Sequence, residues 1–266
     1  MRRSRRDRPP VVAPTSAPRN PVGAAFRRAY DASEMRSLPP LVASLARIPF
    51  FAGLDEAALE RLAAGTRTRR FRRGEVIFHA GDPGDALFII MSGEVKIALP
   101  SETGDEAIIA SLRPGDVFGE LALLDGAARS ATASALAVTE AVVLPRDRFR
   151  ELIATEPAVR DALLASLAGE LRRLTLHVEE LHFLDMTGRV AARLVRLAEE
   201  AGPGGDDGTI RLRSSLTQGE LASMVGCTRQ SVNKLLGQFA DEGFVRLDRE
   251  GIAIVDLPGL VGASRR

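Results

Sequence analysis

Short β-rich segments separated by tight turns fill residues 66–144, and this pattern constrains the fold more than any other feature. Segments such as "EVIFHAG" and "EAIIASL" alternate with turn sequences such as "GDPGD" and "RPGD". Gly, Pro and Asp favour turns and interrupt strands, so their regularly spaced clusters divide the region into short strands. Many short strands joined by tight turns are typical of an antiparallel barrel or roll. We therefore predict an antiparallel, jelly-roll-like β-roll in a chain of the α+β class.

Helical patterns flank the strands on both sides. The stretch "GLDEAALERLAAG" predicts a short helix with Asp55 as its N-cap. After Pro145 the strand signals stop, and Pro157 stands near the start of a long helical pattern, where proline is tolerated.

The long helix carries apolar residues at alternating spacings of three and four. These residues are Leu164, Leu167, Leu171, Leu174, Val178 and Leu181. The spacing is the a/d pattern of a coiled coil over about two and a half heptads. Because this stripe is narrower than the face that a helix usually buries in its own domain, we favour a seam between two copies of the chain, a homodimer. The alternative is a helix packed on its own domain.

The C-terminal segment contains two short helical patterns joined by a tight turn. Thr217 and Glu220 form a capping box at the start of the first helix, which ends at Gly226. Thr228 caps the second helix, whose apolar residues recur at the spacing of one buried face. The following stretch "FVRLDREGIAIV" is typical of a β-hairpin. Together these elements predict a winged helix-turn-helix.

The polar face of the second helix is suited to reading DNA bases. Its charged and amide side chains lie near the N-terminal half, which in a recognition helix contacts the major groove. Arg can bond guanine O6 and N7, and Gln can bond adenine. The candidate DNA-binding residues are Thr217, Thr228, Arg229, Gln230, Asn233 and Lys234. The alternative is a solvated polar face in another kind of helical domain.

The net charge, the cysteine content and the apolar runs limit which partners, compartments and cofactors the chain can have. The net charge is +1, so binding to double-stranded DNA must depend on a local basic patch. The single cysteine, Cys227, excludes internal disulfides and fits a reducing, cytoplasmic setting. No apolar run in the sequence approaches the roughly 20 residues of a membrane span. His79, His177 and His182 suggest no metal site, and we expect each to be structural.

The N-terminal segment is rich in Arg and Pro and has no hydrophobic periodicity. We expect residues 1–40 to be a disordered basic tail. A twin-arginine export signal would need an apolar core after the arginines, and none follows. Translation from Met35 and a nucleic-acid-binding arm are the alternatives.

The stretch "FGELALLDGAARSAT" places a carboxylate and a guanidinium on either side of a turn. A glycine turn followed by a helix start would present backbone N–H groups to an anion. Arg129 would add a planar fork for a phosphate, and Glu120, which repels phosphate, can accept a hydrogen bond from a sugar hydroxyl. This combination predicts a nucleotide pocket, and the alternative is a structural Glu–Arg pair. The candidate residues here are Gly119, Glu120, Leu121, Arg129 and Ser130, with Ile97 and Ile109 as apolar walls.

The same stretch, "GELALLDGAARSAT", resembles the phosphate-binding cassette of cyclic-nucleotide-binding domains. "FLDMTGRVAARLVRLA" and "GCTRQSVNKLL" resemble the hinge and the recognition helix of the catabolite-activator/FNR (Crp/Fnr) family of bacterial transcription regulators. The resemblance covers about residues 49–257 and implies a roll that binds cyclic AMP, a dimerising helix and a winged helix-turn-helix. It matches Gly119, Glu120, Arg129 and Ser130 to ribose and phosphate contacts, and Arg229, Gln230 and Lys234 to base-reading positions.

Two positions depart from the family pattern. Where members that respond to cyclic AMP place a threonine against adenine, this chain has Leu174, and the next position, which reaches across the dimer, is Thr175. Because leucine favours dry packing, we expect weak selection of cyclic AMP over cyclic GMP. Gln230 stands where the best-known members carry glutamate, so we expect a different base pair at that operator position.

We therefore predict a tail over residues 1–40, a cyclic-nucleotide-binding roll over 41–155, a dimerisation helix and hinge over 156–201, and a winged helix-turn-helix over 202–266. The predicted function is a homodimeric, cytoplasmic transcription regulator with cyclic AMP or cyclic GMP as effector. Its predicted partners are double-stranded DNA and RNA polymerase, with no metal and no membrane. The alternatives are a family member that answers another effector or none, an enzyme acting on cyclic nucleotides, and a regulatory subunit of another protein.

Overall fold

The computed structural model of the protein describes residues 39–102, 106–205, 207–213 and 216–265. Except for its last two positions, the predicted N-terminal tail lies outside the described residues, and so does Met35. None of the described helices is long and apolar enough to cross a lipid bilayer.

Short helices precede the strands. Helix α1 spans Pro40–Ala46, a 3-10 turn spans Pro49–Phe51, and helix α2 spans Glu56–Ala64. The Asp55 side chain accepts a hydrogen bond of 2.8 Å from the Ala58 backbone N–H, which confirms the predicted N-cap of α2. This bond satisfies one of the donors that a helix start leaves free, and it fixes where α2 begins.

The middle of the chain forms two four-stranded antiparallel sheets. The elements are β1 Arg67–Phe71, β2 Val76–Phe78, β3 Ala86–Ser92, β4 Val95–Pro100, β5 Glu106–Leu112, β6 Val117–Phe118, α3 Leu121–Asp125, β7 Thr132–Ala135 and β8 Thr139–Pro145. The strand orders are β1-β8-β3-β6 and β2-β7-β4-β5. Apolar side chains from both sheets, among them Phe71, Ile90 and Ala133, form one buried cluster. The prediction of an antiparallel β-roll is therefore confirmed.

Strand β3 is buried on both faces. Phe88 and Ile90 point into the roll, whereas Leu87 and Ile89 pack with the N-terminal helices and with helix α4 (Arg146–Thr155). A strand covered on both sides has no polar face, which explains why β3 appears in the sequence as an unbroken apolar run.

Helix α5 (Pro157–Phe183) leaves the roll after its first turns. It begins at Pro157, as predicted, and its buried residues are Val159 and Leu163. Farther along, Leu171 is 66% exposed and Val178 is 52% exposed. Because apolar surface left in water has free energy to gain on burial, this stripe favours contact with a second surface.

The C-terminal domain combines helix α6 (Met186–Ala201) with a winged helix-turn-helix. The other elements are β9 Ile210–Arg211, α7 Gln218–Val225, α8 Arg229–Asp241, β10 Val245–Asp248, β11 Gly251–Ile254 and α9 Leu257–Ala263. Val190 and Leu194 of α6 lie in the same buried cluster as Val232 and Phe239 of α8. Helix α6, which the sequence analysis grouped with the long helix, thus shares its core with the helix-turn-helix.

The roll and the C-terminal domain meet at strands β4 and β5. Ala98 and Ile108 of these strands join the C-terminal cluster. Beyond β5, Arg113 donates from Nη2 to Oε2 of Glu200 on α6 at 2.7 Å. A shift of the β4–β5 hairpin would therefore directly disturb contacts with the C-terminal domain.

Candidate ligand pocket and nucleic-acid interface

The backbone of Gly119 lies directly against the side chain of Arg129. Gly119 follows β6 with a φ of +85°, a conformation that favours glycine. A Cβ atom at this position would lie 2.6 Å from Nη1 of Arg129, so the close approach of the guanidinium also requires glycine. Helix α3 begins two residues later, at Leu121, and ends at Asp125, with Gly126 as its C-cap. The turn and the short helix therefore form as the sequence predicts.

Arg129 is buried in the roll, with 4% of its surface exposed. Its Nη1 donates to the Gly119 carbonyl at 2.6 Å, and its Nη2 donates to the Ala86 carbonyl at 2.7 Å. The guanidinium carbon lies 4.3 Å from the centroid of the Phe78 ring. Burial lowers the pKa of Arg129, yet arginine keeps its charge in proteins. Among the described residues Nε has no hydrogen-bond partner, so this buried cation retains a free donor.

The carboxylate of Glu120 is not paired with Arg129. The carboxylate oxygen within 4.0 Å of Arg129 is Oδ1 of Asp85, at 3.7 Å, and no ion pair joins Glu120 to Arg129 among the described residues. Burial raises the pKa of Glu120, the nearby charge of Glu170 on α5 raises it further, and Arg129 lowers it. The alternative of a structural Glu–Arg pair is therefore wrong, and the Glu120 carboxylate is not neutralised by the guanidinium.

Three of the remaining ligand candidates lie near this turn or support it. Ser130 is exposed directly after Arg129, and Leu121 is 46% exposed at the start of α3. Ile97 packs in the roll interior, in the cluster that contains Phe78. Since Phe78 lies under the Arg129 guanidinium, Ile97 supports the pocket from within the roll.

Ile109 and Leu174 lie apart from Ile97 and the interior of the roll. The pairing of β4 with β5 skips Ile109, which is the extra residue of a β-bulge. Ile109 lines a narrow cleft together with Leu174 of α5, which is 43% exposed. The Thr175 hydroxyl donates to the Leu171 carbonyl of its own helix at 2.9 Å. Ile109 is therefore grouped with α5 and not with Ile97.

A second arginine that sequence reasoning missed holds helix α3 in place. Arg146 donates from Nη2 to the Gly84 carbonyl at 2.6 Å and to the Ala122 carbonyl at 2.9 Å. A Cβ on Gly84 would lie 2.3 Å from the Cβ of Ala122, so α3 approaches this loop as closely as glycine permits. The signal in the sequence was the arginine directly after strand β8, but its partners lie 62 and 24 residues away.

The helix-turn-helix has the caps that its sequence predicts. At the start of α7, the Glu220 N–H donates to Thr217 Oγ1 at 3.1 Å, and the Thr217 N–H donates to Glu220 Oε2 at 2.7 Å. The Ser231 N–H donates to Thr228 Oγ1 at 3.1 Å at the start of α8. Gly226 ends α7 with a φ of +69°. These local bonds fix the turn between the two helices.

Helix α8 presents one apolar and one polar face. Val232, Leu235, Leu236 and Phe239 are buried against the rest of the domain. The polar side chains that the sequence analysis selected, Arg229, Gln230, Asn233 and Lys234, are all exposed, as are Thr217 and Thr228. Strands β10 and β11 pair as an antiparallel hairpin beside them. The geometry therefore leaves the whole candidate set accessible to a DNA groove.

The remaining candidates for chemistry are clusters of metal-binding side chains and the thiol of Cys227. No group of three or more His, Cys, Asp or Glu residues there could hold a metal ion. Cys227 is half-buried against the C-terminal core, and burial raises the pKa of its thiol. A raised pKa makes a thiol less reactive.

Two family models match the chain. The model of the cyclic nucleotide-binding domain matches residues 68–156, and the Crp-like helix-turn-helix domain matches residues 188–262. The first match includes the Gly119–Arg129 turn, and the second includes helices α7 and α8 and all but the first two residues of α6.

Curated relatives and solved structures agree with these matches. The CRP-like cAMP-activated global transcriptional regulator of Mycobacterium tuberculosis is 38% identical over 221 residues, which cover 83% of this chain and 98% of that protein. The cyclic AMP receptor protein of Thermus thermophilus is 36% identical over 200 residues, covering 75% of this chain and 88% of that protein. A solved CRP/FNR-family regulator from the same organism aligns with a TM-score of 0.61 at 31% identity, covering 75% of this chain and 99% of that one.

Proposed function

This chain belongs to the Crp/Fnr family of cyclic-nucleotide-responsive, DNA-binding transcription regulators, and on that premise we propose that it is a homodimer whose effector is cyclic AMP. The observation that carries the proposal is the buried Arg129 guanidinium, whose Nη atoms are held by two carbonyls while Nε has no partner among the described residues. A buried cation with an unused donor is suited to one anionic oxygen of a ligand.

The residues around Arg129 suit a nucleotide with a single negative charge. Ser130 adds an exposed hydroxyl beside the guanidinium. Glu120 would repel a phosphate, but its carboxylate can accept a hydrogen bond from the ribose hydroxyl. The phosphate would thus bind at Arg129 and the sugar at Glu120, which fixes the direction in which the nucleotide enters the roll.

Relatives support cyclic AMP as the effector, whereas Leu174 argues for modest selectivity. The proteins from Mycobacterium tuberculosis and Thermus thermophilus are named for cyclic AMP. Leu174 has no hydroxyl to offer a base, and a neutral hydrogen bond contributes about 0.5–1.5 kcal/mol. The phosphate and ribose contacts do not depend on the base, so cyclic GMP should also bind.

The exposed stripe on α5 supports the homodimer. Its leucines and valine would pack against the same residues of a second chain in a coiled-coil seam. Two helix-turn-helix units related by this seam would read half-sites about 34 Å apart. Nucleotide in the roll would shift the population between two arrangements of the hinge at Asp185–Arg189 and thereby change that spacing.

We propose RNA polymerase as a further protein partner and the cytoplasm as the place where the protein acts.

We also propose that the protein binds cyclic nucleotide without converting it. Chromatography of cyclic AMP after incubation with the protein tests this directly.

The proposal is tested by measuring DNA affinity with and without nucleotide. A duplex is selected from a random pool with the wild-type protein and cyclic AMP, and fluorescence anisotropy then gives the affinity in each condition. Cyclic AMP should tighten binding for the wild type and leave Arg129→Ala unchanged. Equal affinities with and without cyclic AMP in the wild type would overturn the proposal.

A further inference from the structure

A narrow cleft between α5 and α6 is lined by more cationic than anionic side chains. The cleft has a volume of about 40 Å³ and is closed by β5 and by α7. Its polar lining comes from both helices and consists of Arg173, His177, Glu180, Arg189, Arg193 and Arg196. Four guanidinium groups therefore face one carboxylate within the lining.

Only part of this charge is compensated. Arg196 pairs with Glu180, and Arg173 pairs with Glu170 outside the cleft. Arg189 and Arg193 have no carboxylate within 4.0 Å among the described residues, and the Nε of Arg193 donates to the Met224 sulfur at 3.3 Å.

Several donors in the cleft are also unused. The Nε atoms of Arg173, Arg189 and Arg196 are buried and have no hydrogen-bond partner among the described residues. Arg173 and Arg196 each have a carboxylate partner through another guanidinium nitrogen, whereas Arg189 has none within 4.0 Å in the part of the chain that the structure describes, and arginine cannot relieve this by losing its proton. The lining is thus built for an anion with several acceptor oxygens.

We propose that this cleft is an anion site, distinct from the Arg129 pocket, that takes a phosphate-sized group. Since roughly 10–15 Å³ of cavity holds one water, a volume of about 40 Å³ accepts a phosphate but not the base of a nucleotide. Arg173 lies on α5 and Arg189 and Arg193 lie on α6, so a bound phosphate would tie the two helices across the hinge between them.

A carboxylate of the second chain does not explain the surplus charge. With Leu174 at a d position of the seam, Arg173 and Glu180 both fall at c positions, which point away from a partner helix. Leu174 at the d position and His177 at the g position border the seam and also line the cleft, but Arg173 and Glu180, the charged residues that α5 contributes, are turned toward its own α6.

The NMR resonance of His177 can report phosphate binding in the cleft, and the resonances of the other two histidines serve as internal controls. His177 lines the cleft, whereas His79 and His182 are exposed elsewhere. The full-length protein, labelled with ¹³C at histidine, is titrated with inorganic phosphate at constant ionic strength and followed by NMR. We expect a saturable shift of the His177 resonance while those of His79 and His182 stay in place.

Two variants distinguish specific binding of phosphate in the cleft from nonspecific attraction of phosphate to surface arginines. The double variant Arg189→Gln/Arg193→Gln should weaken the phosphate response by about tenfold or more, because each loses a charge-assisted donor. Arg172→Gln, an exposed arginine on α5, is the matched control and should bind as the wild type does. If Arg172→Gln weakens the response as much as the double variant, phosphate is an adventitious ion only and the inference is wrong.

Two further titrations test whether the ligand is free phosphate or a nucleotide, and whether it binds in the cleft or in the Arg129 pocket. Adenosine 5′-monophosphate should bind no tighter than inorganic phosphate, and a much tighter response would contradict the assigned size. The His177 shift should persist in Arg129→Ala. Loss of the shift in that variant would assign the phosphate to the Arg129 pocket, overturning this inference while leaving the proposed function standing.

Discussion

Nη1 of Arg129 donates to the carbonyl oxygen of Gly119 at 2.6 Å, across ten residues of chain. This bond closes the turn that carries helix α3 without using any ligand atom. The guanidinium is therefore oriented by the protein itself, so an anion that bound there would not spend free energy on ordering it.

Replacing Arg129 should nearly abolish cyclic-nucleotide binding. Arg129→Ala removes the cation, and loss of one partner of a buried charge pair costs about 2–5 kcal/mol of binding free energy. Arg129→Lys keeps the charge but lacks the fork that bonds both carbonyls, so it should bind far more weakly than the wild type. Calorimetry measures both affinities, and an unchanged titration for Arg129→Ala would refute the phosphate role.

Arg146 should affect nucleotide affinity without touching the ligand. Arg146→Met keeps the length of the side chain but loses the bonds to the Gly84 and Ala122 carbonyls. Because a hydrogen bond from a charged group contributes about 1.5–3 kcal/mol, α3 should loosen and the affinity for cyclic AMP should fall by roughly tenfold. Hydrogen exchange of the α3 amides should rise in parallel.

The matched control for that variant is Arg148→Met, because Arg148 is 60% exposed and pairs with Glu151 on its own helix. It should leave both affinity and exchange unchanged. Equal losses in Arg146→Met and Arg148→Met would mean that α4 as a whole, and not the bonds to α3, sets the affinity.

Leu171 should hold two chains together. Leu171→Glu places a charge in the seam, where it would be desolvated and unpaired, so sedimentation at micromolar concentration should show monomers. Leu176 is also apolar and 52% exposed, but it falls at an f position opposite the seam. Leu176→Glu should remain dimeric, and a wild-type monomer under the same conditions would remove the basis for the seam.

Arg229 and Gln230 should read separate base pairs. Arg229→Ala should cost about 1–3 kcal/mol and relax preference at one position. Gln230→Glu should move preference toward a G·C pair at its position, because glutamate accepts from cytosine N4. Selection from random DNA gives the consensus for each variant, and an identical consensus for wild type and Gln230→Glu would contradict the assignment.

Local patterns made much of this architecture predictable. The N-caps at Asp55, Thr217 and Thr228 depend on bonds between residues three apart, and the turns depend on glycine conformations that neighbouring residues already indicate. The apolar spacing of α8 likewise identifies its buried face before any partner is known.

Features that depend on distant contacts were not predictable in this way. The partners of Arg146 are distant in sequence, and the inward orientation of Arg129 depends on the carbonyls of Ala86 in β3 and of Gly119 in the turn after β6. A one-residue bulge turned Ile109 away from Ile97, since strand alternation alone gives no warning of an inserted residue. Helix α6 packs with α8 because tertiary burial, and not sequence order, decides which core its apolar face joins.

Isothermal titration of the wild-type protein with cyclic AMP, cyclic GMP and adenosine 5′-monophosphate tests the central claim most directly. The account predicts saturable binding of one cyclic nucleotide per chain, a preference for cyclic AMP over cyclic GMP of about tenfold or less because Leu174 offers no hydrogen bond, and much weaker binding of the monophosphate. A preference of several hundredfold would place selectivity elsewhere than Leu174. No saturable heat with either cyclic nucleotide would contradict the account of the Arg129 pocket.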